Sequence, residues 1–166
     1  GGRPCNRPVP TVSPMELRDI LSPDRISVGL SATSKKKLLE IVSQLLVHGS
    51  TGADPQAVFQ CLIERERLGS TGIGEGVALP HGRMKGLTRA IGAFAVLKTD
   101  MDYDAIDRQP VRLVFALLVP ENATTEHLQL LAKLAALFSQ KSMRDKLINA
   151  KTPEELYTYL TDSHRA

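Results

Sequence analysis

The segment GSTGIGEGVALPHGR, from Gly69 to Arg83, constrains this chain more than any other, because five of its fifteen residues are glycine and Pro80 stands directly before its one histidine, His81. Gly69, Gly72, Gly74, Gly76 and Gly82 allow positive φ angles and close approach of the main chain to an anion, a backbone nest to which Ser70 and Thr71 add hydroxyl donors. Pro80 restricts both itself and Leu79 and favours an extended approach into His81. Imidazole is nucleophilic near neutral pH, so a histidine held this way can accept a phosphoryl group and pass it on. On these residues alone two readings stand: a phosphate-handling segment that presents His81, or a glycine-rich turn with a surface histidine.

The chain around the segment has 166 residues and 42% hydrophobic content, enough for one domain with a sizeable core. No apolar run approaches the roughly 20 residues of a membrane span, and no signal-peptide stretch opens the sequence. A soluble cytoplasmic protein without membrane insertion is expected. The two cysteines, Cys5 and Cys61, make no disulfide framework and lack paired metal-ligand spacing, so a reducing compartment fits and no metal is expected. Removing Arg3 and Arg7 of the leading segment leaves 19 basic against 18 acidic side chains. Near-balanced charge, with 4% aromatic residues and no tryptophan, speaks against a nucleic-acid partner.

Residues 1–14 hold four prolines, no acid and no apolar periodicity, and are expected to be a flexible leader or an artificial remnant before a domain over 15–166. Met15 to Leu21 suits a short helix, and Arg25 to Leu30 a short strand. Ser34 caps a helix whose stripe is Leu38, Leu39, Ile41, Val42, Leu45 and Leu46, with Gly49 as its stop. Asp54 and Pro55 open a second helix running to about Leu68. Ala90 to Leu97 and Arg112 to Val119 predict two central strands. Helices follow at about Thr125 to Ser139, Ser142 to Ala150 and Pro153 to Leu160, the last with a Thr152/Glu155 capping box.

Two further side chains converge on the same chemistry. In the second helix Val58, Cys61, Leu62 and Arg65 follow i, i+3, i+4, i+7, which turns Arg65 toward the apolar face while Glu64, Glu66 and Arg67 point more outward. An inward guanidinium four residues before Gly69 suits an anion, or a buried carboxylate. His127, Leu131, Leu134 and Phe138 place an imidazole on the inner face of a helix within its first turn, where the macrodipole disfavours a charged ring. By periodicity that histidine is either a hydrogen-bonded core residue or a neutral donor. His48 and His164 read as solvated surface.

Arg65-Glu66, GSTGIGEGVALPHGR, AspAlaIleAspArgGlnProVal from Asp104, and PheAlaLeuLeuValPro before His127 together resemble the phosphotransferase IIA domains of the fructose/mannitol type, in wording closest to their nitrogen-regulatory branch. The resemblance spans most of Met15 to Leu160 and implies an α/β domain with a mixed sheet of about five strands flanked by helices, His81 lying near a sheet edge in a shallow depression. It implies that His81 is the phosphoacceptor, that His127 is the second active-site histidine, and that Arg65 is the arginine near the phosphate. Ser70, Thr71 and Gly72 are then the phosphate-binding donors beside them. Glu75 stands where the family often has asparagine, an acid beside a site that must welcome phosphate.

The expected function is a phosphoryl-accepting regulator, phosphorylated on His81 by a histidine phosphocarrier of the HPr type and controlling regulatory target proteins by its phosphorylation state. It is a phosphohistidine carrier more than a metabolic enzyme and requires no cofactor. Two alternatives use the same residues: a sugar-specific IIA component passing phosphate to a IIB protein during uptake of a fructose- or mannitol-like sugar, and a binding module indifferent to phosphorylation. The GIGEG run lacks the later glycine of a dinucleotide fingerprint and no Gly-Lys-Ser/Thr follows, so nucleotide binding has weak support.

Overall fold

Two strands rich in β-branched and aromatic residues form the spine of the molecule: β5 (Ile91–Met101) and β6 (Val111–Pro120) pair antiparallel with Phe94 opposite Phe115. This computed structural model describes residues 15–49 and 53–162, so the leader of residues 1–14 and His164 lie outside the described residues. β1 (Ile26–Leu30) joins the free edge of β5 in parallel, Ile26 opposite Phe94. Beyond β6 lie β3 (Val77–Ala78), parallel to it, and then β2 (Gly72–Gly74), antiparallel to β3. β4 (His81–Met84) also runs parallel to β6, with His81 opposite Leu117. The result is one mixed sheet of six strands, the α/β class expected. The three strands that the sequence pattern does not locate, β2, β3 and β4, lie within Gly72–Met84 and are too short to display a period of two.

The period-two alternation of the spine feeds two cores. Phe94, Val96, Leu113, Phe115 and Leu117 face α1 (Leu17–Ile20), α4 (Thr124–Phe138), α5 (Lys141–Asn149) and α6 (Pro153–Asp162), where Phe94 and Phe138 stack at 6.0 Å. Ala93, Leu97, Val114, Ala116 and Leu118 face the other side, against α2 (Lys35–Leu46) and α3 (Pro55–Arg67). β5 continues to Met101, past the expected end at Leu97, because Lys98, Thr99 and Asp100 are exposed and the apolar pattern lapses before the strand does. The helix starts obey their caps: Ser34 Oγ accepts from the Lys37 amide at 3.1 Å, Asp54 Oδ1 from Gln56 at 3.2 Å, and Thr152 Oγ1 from Glu155 at 3.1 Å. Among the described residues no helix is long and apolar enough to cross a membrane.

Candidate functional site

The glycines of Gly69–Arg83 divide into two kinds, and the difference builds the site. Gly69, Gly74 and Gly76 take positive φ, joined by Glu75 at φ 59°, so that Gly74–Gly76 reverse the chain between β2 and β3. Gly72 and Gly82 do not take positive φ. They allow close packing, since a Cβ at Gly72 would stand 2.7 Å from Ala105 Cβ and one at Gly82 would stand 2.5 Å from Cys61 Sγ. Three of the five glycines thus use the positive φ that the sequence allows and two serve packing: His81 opens strand β4, and Gly82 lets that strand lie against α3.

That contact brings together side chains from three elements. Cys61, Glu64, Arg65 and Leu68 from the end of α3, His81, Gly82 and Arg83 from β4, and His127 from α4 line an open depression of about 500 Å³. His81, buried to 9% exposure, holds the Leu79 carbonyl with Nδ1 at 2.7 Å. A carbonyl only accepts, so Nδ1 carries the proton and Nε2 keeps the lone pair. Burial pushes the His81 pKa below the ordinary histidine value; the Arg65 charge acts in the same direction, while the Leu79 bond and Glu66 oppose it. Its ring is thus neutral, with the nucleophilic nitrogen defined.

His127, fourth residue of α4, sets its ring edge-on to His81 with centroids 5.1 Å apart and planes at 67°. Burial, followed by the neighbouring His81, Arg83 and Arg65, pushes its pKa down to about 4. Its Nε2 is buried and has no hydrogen-bond partner among the described residues. A satisfied core histidine would have one. Arg65 donates Nη1 to the Gly69 carbonyl at 2.9 Å and has no carboxylate partner among the described residues, which leaves most of its five N–H groups for an anion.

Glu66, which helical periodicity turns outward, is instead buried: its side chain is 3% exposed. Gly69 reverses the chain after α3 and folds Thr71 back over this carboxylate, which accepts the Thr71 amide at 2.8 Å, the Thr71 hydroxyl at 2.6 Å and Lys35 Nζ at 2.7 Å. Both donors of Thr71 are consumed there, and the Gly72 amide is taken by Ser70 Oγ at 3.1 Å. Ser70, Thr71 and Gly72 are not among the residues that line the depression. Glu75 is absent from the lining as well; its side chain, 72% exposed, pairs with Arg144 at 3.5 Å.

Arg83 and two exposed leucines add to the site. Arg83 follows His81 by two residues on one strand and so shares its face, a signal that required recognising β4 as a strand. Leu68 is 85% exposed on the rim and Leu128, next to His127, is 68% exposed. Cys61 offers no second nucleophile: burial and Glu64 push its thiol pKa up, and Sγ donates to the Arg83 carbonyl at 3.4 Å. Among the described residues no three His, Cys, Asp or Glu side chains are grouped to hold a metal.

Residues 19–163 match the family described as "Phosphoenolpyruvate-dependent sugar phosphotransferase system, EIIA 2". The chain is 43% identical over 148 residues to the nitrogen regulatory protein of Pseudomonas aeruginosa, covering 89% of this chain and 96% of that one. It is 41% identical over 150 residues to the nitrogen regulatory protein of Escherichia coli K12, with 90% and 91% covered. The crystal structure of nitrogen regulatory protein IIA-Ntr from Neisseria meningitidis superposes with a TM-score of 0.82 at 46% identity, covering 86% of this chain and 97% of that one.

Proposed function

The chain belongs to the EIIA 2 family of the phosphoenolpyruvate-dependent sugar phosphotransferase system, the fructose/mannitol type, and from that premise we propose that it is a cytoplasmic phosphoryl-accepting regulator. His81 accepts a phosphoryl group from a histidine phosphocarrier of the HPr type, and target proteins respond to the phosphorylation state of His81. The regulatory reading draws support from relatives named for nitrogen regulation at 41–43% identity.

The observation that carries the reading is the pair of neutral imidazoles 5.1 Å apart, one with Nδ1 committed to Leu79 and the other with an unpartnered Nε2. The His81 Nε2 lone pair forms a bond to phosphorus as the bond from phosphorus to the carrier's histidine nitrogen breaks, and that nitrogen leaves with the electron pair. The His81 ring becomes cationic, with Nδ1–H still held by Leu79. Arg65 and Arg83 supply fixed positive charge to the phosphoryl oxygens, and His127, as the Nε2–H tautomer, donates one hydrogen bond. Leu68 on the lining and Leu128 next to His127 offer the carrier exposed apolar side chains at an open depression, which lets its histidine reach in.

Incubation with phosphoenolpyruvate, enzyme I and the histidine phosphocarrier of the same organism, followed by intact-mass analysis, tests the reading. One acid-labile phosphoryl group on the parent chain and none on His81→Ala is the expected result. A parent chain that stays unmodified refutes the proposal. Onward transfer to a sugar IIB protein would reassign the chain to transport.

A further inference from the structure

Behind Arg65 lies a buried polar chain that the transfer step itself does not use. Thr71 Oγ1 donates its proton to Glu66, so at the 3.1 Å contact between Thr71 and Tyr103 the donor is the tyrosine hydroxyl. Every hydrogen bond then points one way: Tyr103 to Thr71, Thr71 to Glu66, and Lys35 to Glu66 from the other side. Tyr103 is fully buried, its ring packs against Gly72, and Lys35 Nζ lies 4.7 Å from the ring centroid. Burial and the Glu66 charge push the Tyr103 pKa upward, so it remains a neutral donor.

This chain holds Arg65 in two ways. It saturates the carboxylate of the adjacent residue, which would otherwise compete with phosphate for the guanidinium. It also fixes Thr71, hence the Gly69–Gly72 backbone, hence the Gly69 carbonyl that anchors Arg65 Nη1 at 2.9 Å. We propose that Tyr103 and Lys35 are positioning residues for phosphoryl transfer, acting through Glu66 and Thr71 to hold the Arg65 guanidinium free of carboxylates and aimed at the phosphoryl group. The proposal rests on the reading of His81 as the phosphoacceptor.

Tyr103→Phe keeps the ring against Gly72 and removes only the hydroxyl; Lys35→Met removes the ammonium, and Lys35→Arg restores a cation. The test is the single-turnover rate of phosphorylation by a phosphorylated HPr-type carrier, in the parent and in an Arg65→Met background, with Tm recorded for each variant. At saturating carrier the rate should fall about tenfold in Tyr103→Phe and Lys35→Met with the carrier KM unchanged, and recover in Lys35→Arg. In the Arg65→Met background, itself slowed about 100-fold, Tyr103→Phe should add less than about twofold, because a residue acting through Arg65 has nothing left to act on. An equal tenfold loss in both backgrounds, or a loss confined to Tm, overturns the proposal.

The Arg65 Nη1–H resonance in ¹⁵N NMR of the unphosphorylated chain, from the group held by the Gly69 carbonyl, provides a readout that stands apart from phosphorylation. It should be sharp and slowly exchanging in the parent and in Lys35→Arg, and broadened in Tyr103→Phe and Lys35→Met. A resonance unchanged across all four refutes the positioning role even if His81 were never phosphorylated, whereas failure of phosphorylation with the NMR pattern intact counts against the phosphoacceptor reading alone.

Discussion

Replacing Gly82 by alanine tests the packing that assembles the site. A methyl group there would stand 2.5 Å from Cys61 Sγ and 3.4 Å from the Cys61 carbonyl oxygen. Nonbonded contacts settle near 3.5–4.0 Å, so β4 and α3 must separate by about 1 Å. The sulfur has little room to yield, since it sits on a short side chain in a helix and its thiol is held on the Arg83 carbonyl. Overpacking of this kind costs about 1–3 kcal/mol, a fall in Tm of roughly 2–12 °C for a domain of this size. The same displacement moves His81 away from Arg65, and misplacement of about 1 Å lowers transfer rates by up to about 100-fold. Thermal melts and single-turnover phosphorylation should show both losses, and Cys61→Ala in the same chain should restore most of each. A Gly82→Ala protein that melts and reacts like the parent would rule out this packing role for Gly82, as would a double variant that recovers neither property.

Acid should destabilise the fold through its histidines. Above about pH 6.5 His127 is neutral whether folded or unfolded and contributes no pH dependence; below it the unfolded chain takes up the proton first, so stability is lost from about pH 6.5 down to the folded-state value of about 4. His81, also lowered, adds in the same direction. Discounted for its partial exposure, the His127 share is about 1–2 kcal/mol, and urea melts at about pH 7 and about pH 4.5 should show a correspondingly smaller loss in His127→Gln. Leu68→Glu and Leu128→Glu should raise the carrier KM about tenfold while leaving Tm unchanged, because both side chains are exposed, Leu68 on the lining of the depression and Leu128 next to His127. Phe138→Ala, which removes the ring stacked on Phe94, should cost about 3–5 kcal/mol by denaturant melt while the folded fraction still accepts phosphate.

The helices were legible because their ends carry chemistry: Ser34, Asp54 and Thr152 each cap in space as their residue types require in sequence. β5 and β6 were legible from composition, since a strand covered on both faces must be apolar almost throughout. Glu66 was not legible. Helical periodicity describes a regular helix surface, and the carboxylate is buried by a chain reversal at Gly69 that returns Thr71 over it, a tertiary event the period cannot report. The same limit hid the purpose of Gly72 and Gly82, whose partners Ala105 and Cys61 are remote in sequence. His127 and His81 each carry a chemical signature in the sequence, but their 5.1 Å approach is a tertiary contact between α4 and β4 that neither signature reports.

In the proposed transfer His81 Nε2 is the nucleophile, a consequence of the 2.7 Å bond that commits Nδ1 to Leu79. Histidine labelled with ¹⁵N in the full chain, phosphorylated through its carrier and followed by ³¹P–¹⁵N NMR, identifies the bonded nitrogen directly. A single phosphorus coupling is expected, to Nε2 of one histidine, that disappears in His81→Ala and persists in His127→Ala. Coupling to Nδ1, or a phosphoryl group that survives in His81→Ala, would contradict it.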